Sequence, residues 1–298
     1  MIRNQKVCLS VRFGADLPSL TPTEIRGVVP FLHDDVADSI RAISEQVQPS
    51  IAGPAVARLE RLGDCETKLS EWERQGIHVL LESEDEIPAQ LVTSLKSQAP
   101  VALYQLGVPI SPERKWLGVV GSRAANEALL EIAAEVAQMA SDQGYGVVSG
   151  GAKGIDQAAT RAVFRSAPTV SILATGLEVA LREFSRLDEE AQQQTTILSA
   201  VHPQAGFSVG QAMARNKLIY GFAELTVVVC CEVGTGGTWA GATEALSKGY
   251  GSVGVWMGRG APEANQALVD KGAIPIESIP FDVADVGRAD GAQGLFDL

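Results

Sequence analysis

The chain has 298 residues, 46% of them hydrophobic, with 24 basic and 36 acidic side chains and a formal charge of −12. That length builds a core without covalent staples and fits one large domain or two ordinary ones. The charge excludes a protein whose whole surface is basic, but residues 1–111 carry ten bases and fifteen acids, 112–272 thirteen and sixteen, and 273–298 one and five, so a local basic patch fits the middle segment.

From the N-terminus, MIRNQKVCLS lacks the apolar core of a signal peptide, and no run reaches the roughly eighteen apolar residues of a membrane span; a cytoplasmic, membrane-free protein is expected. Residues 1–100 read as a smaller, mainly helical accessory domain and lead-in, broken at Pro22, Pro30, Pro49 and Pro54. Residues 101–281 read as α/β. The runs WLGVV, YGVVS, TVSILAT, TILSAV, LTVVVCC and SVGVWM are strand-like, and helical patterns separate them, which predicts a doubly wound, mostly parallel sheet of Rossmann type. Leu129, Ile132, Val136 and Met139 mark one buried helix face, with Gly144 as its stop. Residues 282–298 read as an acidic, flexible tail.

Three Gly-rich segments follow predicted strands, where open parallel sheets bind ligands. The first is Gly121-Ser122-Arg123, before a helix whose N–H groups favour an anion. The second contains Ser149, Gly150, Gly151, Lys153, Gly154 and Asp156; it is neither a Walker A loop nor a GxGxxG fingerprint with its acidic partner, which speaks against ATP hydrolysis and NAD chemistry. Its Asp156 is placed to cap the next helix or orient the loop. The third includes Gly236, Gly237 and Thr238 at a predicted helix start. Arg215, Asn216 and Lys217 are expected at the start of another helix, pointing to the sheet rim, although a solvated helix face explains the same spacing. Tyr220 and Trp239 are candidates for stacking on bases, though such residues are more often core.

Cys8, Cys65, Cys230 and Cys231 form no CxxC pair, and His33, His78 and His202 do not cluster, so neither a metal nor another cofactor is expected. A reducing compartment fits that cysteine usage.

The order GSR, SGGAKGID, ILATG, RNKLIYG, VVVCCE and GTGGTWAGATEAL, preceded by GIHVLLESEDEIPAQLVTSLKSQAPVALYQLG, resembles the DprA/Smf DNA-processing family over about residues 65–280. The resemblance implies a non-catalytic Rossmann-type protein that binds single-stranded DNA, forms a homodimer and passes the strand to a RecA-type recombinase. It implies that Ser122, Arg123, Lys153, Arg215, Asn216 and Lys217 line the DNA groove, supported or completed by Gly236, Gly237 and Thr238. The chain departs from the family pattern in DQAATRA, which lacks a His after GID, in VALREFSRLDE, and in MAR before the Asn; no winged helix is expected after residue 280. These changes imply modest, salt-sensitive DNA affinity or a different ligand.

Two other readings stay open. GTGGTWAGATEAL also resembles the loop of LOG-type phosphoribohydrolases, which act on nucleoside monophosphates, with Gly241 where the catalytic Glu is expected and Glu244 one turn on. A nucleotide-sensing module would use the same loops for a small ligand, for example in phage defence. The terminal Gln293-Gly294-Leu295-Phe296 resembles, one residue short, a peptide that docks on the bacterial sliding clamp, and the balance is against it.

Overall fold

The computed structural model of the chain describes residues 1–11, 13, 17 and 19–287. Its strands are β1 (Ile77–Leu81), β2 (Ala102–Gly107), β3 (Trp116–Gly121), β4 (Gly146–Ser149), β5 (Thr169–Leu173), β6 (Thr195–Ser199), β7 (Leu225–Cys230), β8 (Ser252–Trp256) and β9 (Ile274–Ile276). The helices before β2 are α1 (Ile2–Ser10), α2 (Pro22–Val28), α3 (Val36–Gln46), α4 (Pro49–Leu59), α5 (Leu62–Arg74) and α6 (Ala89–Leu95). Those after it are α7 (Glu127–Asp142), α8 (Ile155–Val163), α9 (Leu181–Phe184), α10 (Glu189–Gln192), α11 (Val209–Phe222), α12 (Gly236–Lys248) and α13 (Gln266–Val269).

All six apolar runs form strands of one α/β sheet, with the order β1-β2-β6-β5-β4-β3-β7-β8-β9. From β6 to β9 the pairings are parallel, while β2 joins β6 and β1 joins β2 antiparallel. The Val-rich interior strands are buried on both faces, which is why they read as continuous apolar runs. One face carries α6, α11, α12 and α13, the other α7 and α8. Asn126 caps α7 by accepting the Leu129 N–H at 3.0 Å, and Gly144 follows its end at φ +83°.

Helices α1–α5 pack around their own apolar cluster and against β1 and β2. Pro22 and Pro49 open α2 and α4, where a missing N–H costs nothing. Pro54 does not break the chain as expected but lies inside α4 as its sixth residue, where it forfeits a single helix bond. Arg26 ties α2 to the lead-in, donating to Glu82 Oε2 at 2.8 Å, Ser97 O at 3.0 Å and Ala99 O at 2.7 Å. The segment expected to be a loose tail begins docked: Val283 is buried and its N–H donates to Gln143 Oε1 at 3.1 Å. Residues 293–296, the clamp-like peptide, lie outside the described residues.

Topology places the site. After β6 the chain returns across the sheet through α11 and inserts β7 beside β3. Strand order therefore reverses between β3 and β7, and the crevice beyond their carboxyl ends is where such sheets take ligands.

Candidate functional site

A cleft of about 440 Å³ opens at that reversal. Gly121, Ser122, Arg123, Asp156, Arg215, Asn216, Gly236, Gly237 and Thr238 all line it. Ser149, Gly150, Gly151, Lys153, Gly154 and Lys217 do not. Ser149 is fully buried and donates its hydroxyl to Val119 O at 2.5 Å, tying β4 to β3. Gly150, Gly151 and Gly154 shape the second loop from behind, and Lys153 stands exposed on it.

Arg215, Asn216 and Lys217 occupy the middle of α11 rather than its start, because the helix begins earlier, at Ser208, whose hydroxyl accepts the Gln211 N–H at 3.1 Å. Helical geometry then turns the three side chains in different directions. Arg215 points into the sheet, 9% exposed, and donates to Ile172 O at 2.8 Å. Asn216 donates to Gly237 O at 2.8 Å and clamps the start of α12. Lys217 reaches away from the cleft to Gln98 Oε1 at 3.2 Å.

Asp156 is the hub. Its carboxylate accepts the Ala152 N–H at 3.3 Å and lies beside Arg215 against Gly150, where a Cβ would come within 2.6 Å of Asp156 Oδ2 and 1.8 Å of Arg215 Nη1. Burial pushes the Asp156 carboxyl up to about 6, opposed by the Arg215 charge and by the N–H groups of Ala152, Gly121 and Gly150. Burial likewise lowers the Arg215 guanidinium, against the Asp156 charge. Gly154 holds φ +86° and backs onto Ser122 O, 2.6 Å from where a Cβ would sit, so the first and second loops are packed as one body.

The third loop supplies an open helix end. Thr235 precedes α12 without capping it and instead meets Glu232 Oε2 at 3.3 Å, which leaves the first N–H groups of a thirteen-residue helix facing the cleft. Arg123 is exposed on the opposite lip, 5.9 Å from the centre of the Phe207 ring. Phe207, Val209 and Met213, all exposed, form an apolar border. Phe207 escaped sequence reasoning because HPQAGFS has no periodicity; an aromatic in an otherwise polar, Gly- and Pro-containing stretch was the available signal.

Tyr220 is not at the rim but on the floor, 2% exposed. Trp239 lies outside the cleft, half-buried on the α12 side of the core with Lys271 5.9 Å from its ring. Glu244 is also outside and accepts Tyr250 Oη at 3.4 Å. Among the described residues no three His, Cys, Asp or Glu side chains gather to hold a metal, and no helix is long and apolar enough to cross a membrane.

Backbone N–H groups, the exposed Arg123 and an uncapped helix start thus converge on one cleft at the strand reversal of a Rossmann-type sheet. The family model for DNA recombination-mediator protein A matches residues 78–284, and the chain belongs to that family. A putative DNA processing protein DprA of Mycobacterium tuberculosis is 28% identical over 193 residues, 60% of this chain and 49% of that protein; the chain thus spans about half the length of the curated relatives it matches. DprA of Streptococcus pneumoniae has the same fold, with a TM-score of 0.69 at 22% identity over 93% of this chain and 94% of that one. DprA of Helicobacter pylori, described for its single-stranded DNA binding mode, gives a TM-score of 0.56 at 20% identity over 73% of this chain and 96% of the other.

Proposed function

We propose that the cleft holds single-stranded DNA by its phosphates and that the protein carries out no chemical step on it. The observation that carries this is the convergence of the α12 N-terminus, the Gly121–Arg123 loop and Arg215 on one cleft at the strand reversal. The single-stranded DNA binding described for the H. pylori relative supports the same ligand. The position of Glu244 outside the cleft argues against a phosphoribohydrolase, which needs an acid at the reacting sugar. A homodimer, delivery of the strand to a RecA-type recombinase and a cytoplasmic location rest on family membership; two linked clefts on one strand would raise affinity through effective concentration and offset the acidic composition. A small signalling nucleotide is the second reading, favoured by a volume within the usual range of small-molecule sites.

Fluorescence anisotropy with a labelled single-stranded oligonucleotide over a range of salt tests the proposal. Wild type should bind, with affinity falling as salt rises, and the Arg123→Ala/Lys153→Ala variant should lose about 0.7 in log–log salt slope for each phosphate contact removed. Lys217→Ala, facing away, should bind as wild type. Absence of wild-type binding at low salt would overturn the reading.

A further inference from the structure

Two of the loops at the carboxyl ends of the strands are seated on the helical domain. Leu177, which follows β5, is fully buried in the same apolar cluster as Val7 of α1 and Leu69 and Trp72 of α5. The loop after β6 reaches that cluster through His202, whose ring meets Trp72 edge-on with centroids 5.4 Å apart, while Tyr104 meets the same indole at 5.3 Å. Trp72 is 2% exposed, and close packing on all sides leaves it little room to move.

Hydrogen bonds make one plug of the two loops. Gly176 N–H donates to Ala205 O at 2.8 Å, Glu178 N–H to Pro203 O at 3.0 Å and Ala205 N–H to His202 O at 2.8 Å. The loops lie so close that a Cβ on Gly176 would stand 2.1 Å from Pro203 O. Beyond Ala205 the character changes: residues 206–210 are exposed, and Gly206 has open space around it. That stretch carries Phe207, on the border of the cleft beside Arg123, and Ser208, the cap that starts α11. Its place is therefore set from its two ends, by α11 on one side and by the plug on the other. The plug in turn rests on Trp72, which is not part of the cleft lining.

We propose that Trp72 is a positioning residue for the cleft: through His202 it holds the loop between β6 and α11, and so sets Phe207 and the first turn of α11 for a ligand that it does not touch. The helical domain thereby governs how much of the time the cleft stands in its binding form, and affinity scales with that fraction. The effect on affinity rests on the DNA reading above; the hold on the loop does not.

The test takes wild type, Trp72→Leu, His202→Ala, the double variant and His202→Phe. Each is measured well below its thermal midpoint, by anisotropy with a single-stranded oligonucleotide and by amide hydrogen exchange. Trp72→Leu and His202→Ala should each weaken binding by roughly two- to tenfold, the range of one aromatic pair, and the double variant by no more than the larger single loss. His202→Phe keeps a ring against the indole and should bind as wild type. The Gln204 N–H that His202 Nδ1 accepts at 3.2 Å is on an exposed residue, where water takes over. Exchange should quicken at Ala205, Gln211 and Ala212 in the two weakened variants and stay unchanged at residues 150–154. Lower thermal midpoints with unchanged affinity, or additive losses in the double variant, would overturn the proposal, because a purely structural Trp72 gives that result. If Trp72→Leu does not fold, His202→Ala set against His202→Phe decides by the same readouts. If wild type binds no strand, the DNA reading fails by itself and exchange decides: quickening at Ala205 and Gln211 supports the hold on the loop, and unchanged rates overturn it.

Discussion

The two Gly-rich loops that flank the cleft look alike in sequence and are built in opposite ways. In the loop after β4, Gly150, Gly151 and Gly154 each have a neighbour where a Cβ would stand, and the carboxylate of Asp156 binds the loop from within. In the loop after β7, Gly234 and Gly236 hold φ +73° and +76° with open space around them, and Gly237 meets only the Asn216 amide at 3.3 Å. The first loop needs glycine because matter is too close at all three positions, with the backbone also turned at Gly151 and Gly154; the second needs it at Gly234 and Gly236 for the turn alone. One lip is therefore over-determined, and the other closes on itself through Thr235 and Glu232 and is tied to α11 by the Asn216 bond to Gly237.

The sharpest way to break this contrast is a paired substitution. Gly150→Ala drives a methyl into Arg215 and Asp156 and should cost about 3 kcal/mol or more, seen as a lower denaturation midpoint or loss of a cooperative transition. Gly234→Ala should cost only ~1–2 kcal/mol, the penalty of the left-handed backbone. Comparable losses at the two positions would refute the difference between the loops.

A pH series probes the over-determined lip alone. In the folded chain Asp156 keeps its proton up to about pH 6, whereas its ordinary value is 3.8. Between those values the folded state binds the extra proton, so the contribution is fully present below the ordinary value and is lost as pH rises through about 6, in total on the order of 3 kcal/mol. The stability difference between wild type and Asp156→Asn should therefore shift against wild type across that window, measured by urea denaturation at each pH. A flat difference would mean that the carboxylate is solvated.

The smallest effect belongs to the open lip. Asn216→Ala removes one hydrogen bond and should destabilise the fold by about 1 kcal/mol. Its larger signature should be faster amide exchange at Gly236 and Gly237, with residues 150–154 unchanged; equal change in both loops would show that the lips are mechanically joined.

Much of the fold was legible because β-branched runs buried on two faces leave a strong local pattern, and all six expected strands are present. The strands that the pattern missed are β1 and β9, at the sheet edges, where burial alternates or the strand is only three residues long, and β2, a buried six-residue strand whose apolar run is interrupted by the buried Gln105. At the site, the loops were legible from glycine and their place after strands. The directions of Arg215 and Lys217 were not, because they depend on where α11 starts, and Ser208 in an aperiodic stretch sets that. Asp156 was seen as a capping or orienting group, and its partnership with Arg215, 59 positions along the chain, is a product of the crossover.

The outer strand β1 bears on how the molecule can be divided. Arg3 donates to Val79 O at 3.1 Å and Glu86 accepts the Leu81 N–H at 2.9 Å, so the free side of the strand is occupied by side chains from both directions. A fragment cut at residue 101 would lose β1 together with these stoppers and present β2, with Tyr104 and Leu106 uncovered, as a bare strand ready to add to another copy. The helical hundred residues therefore act as a hem for the sheet. Grafting the cleft into another protein would have to carry that hem, back to the first helix, to yield a part that stays in solution.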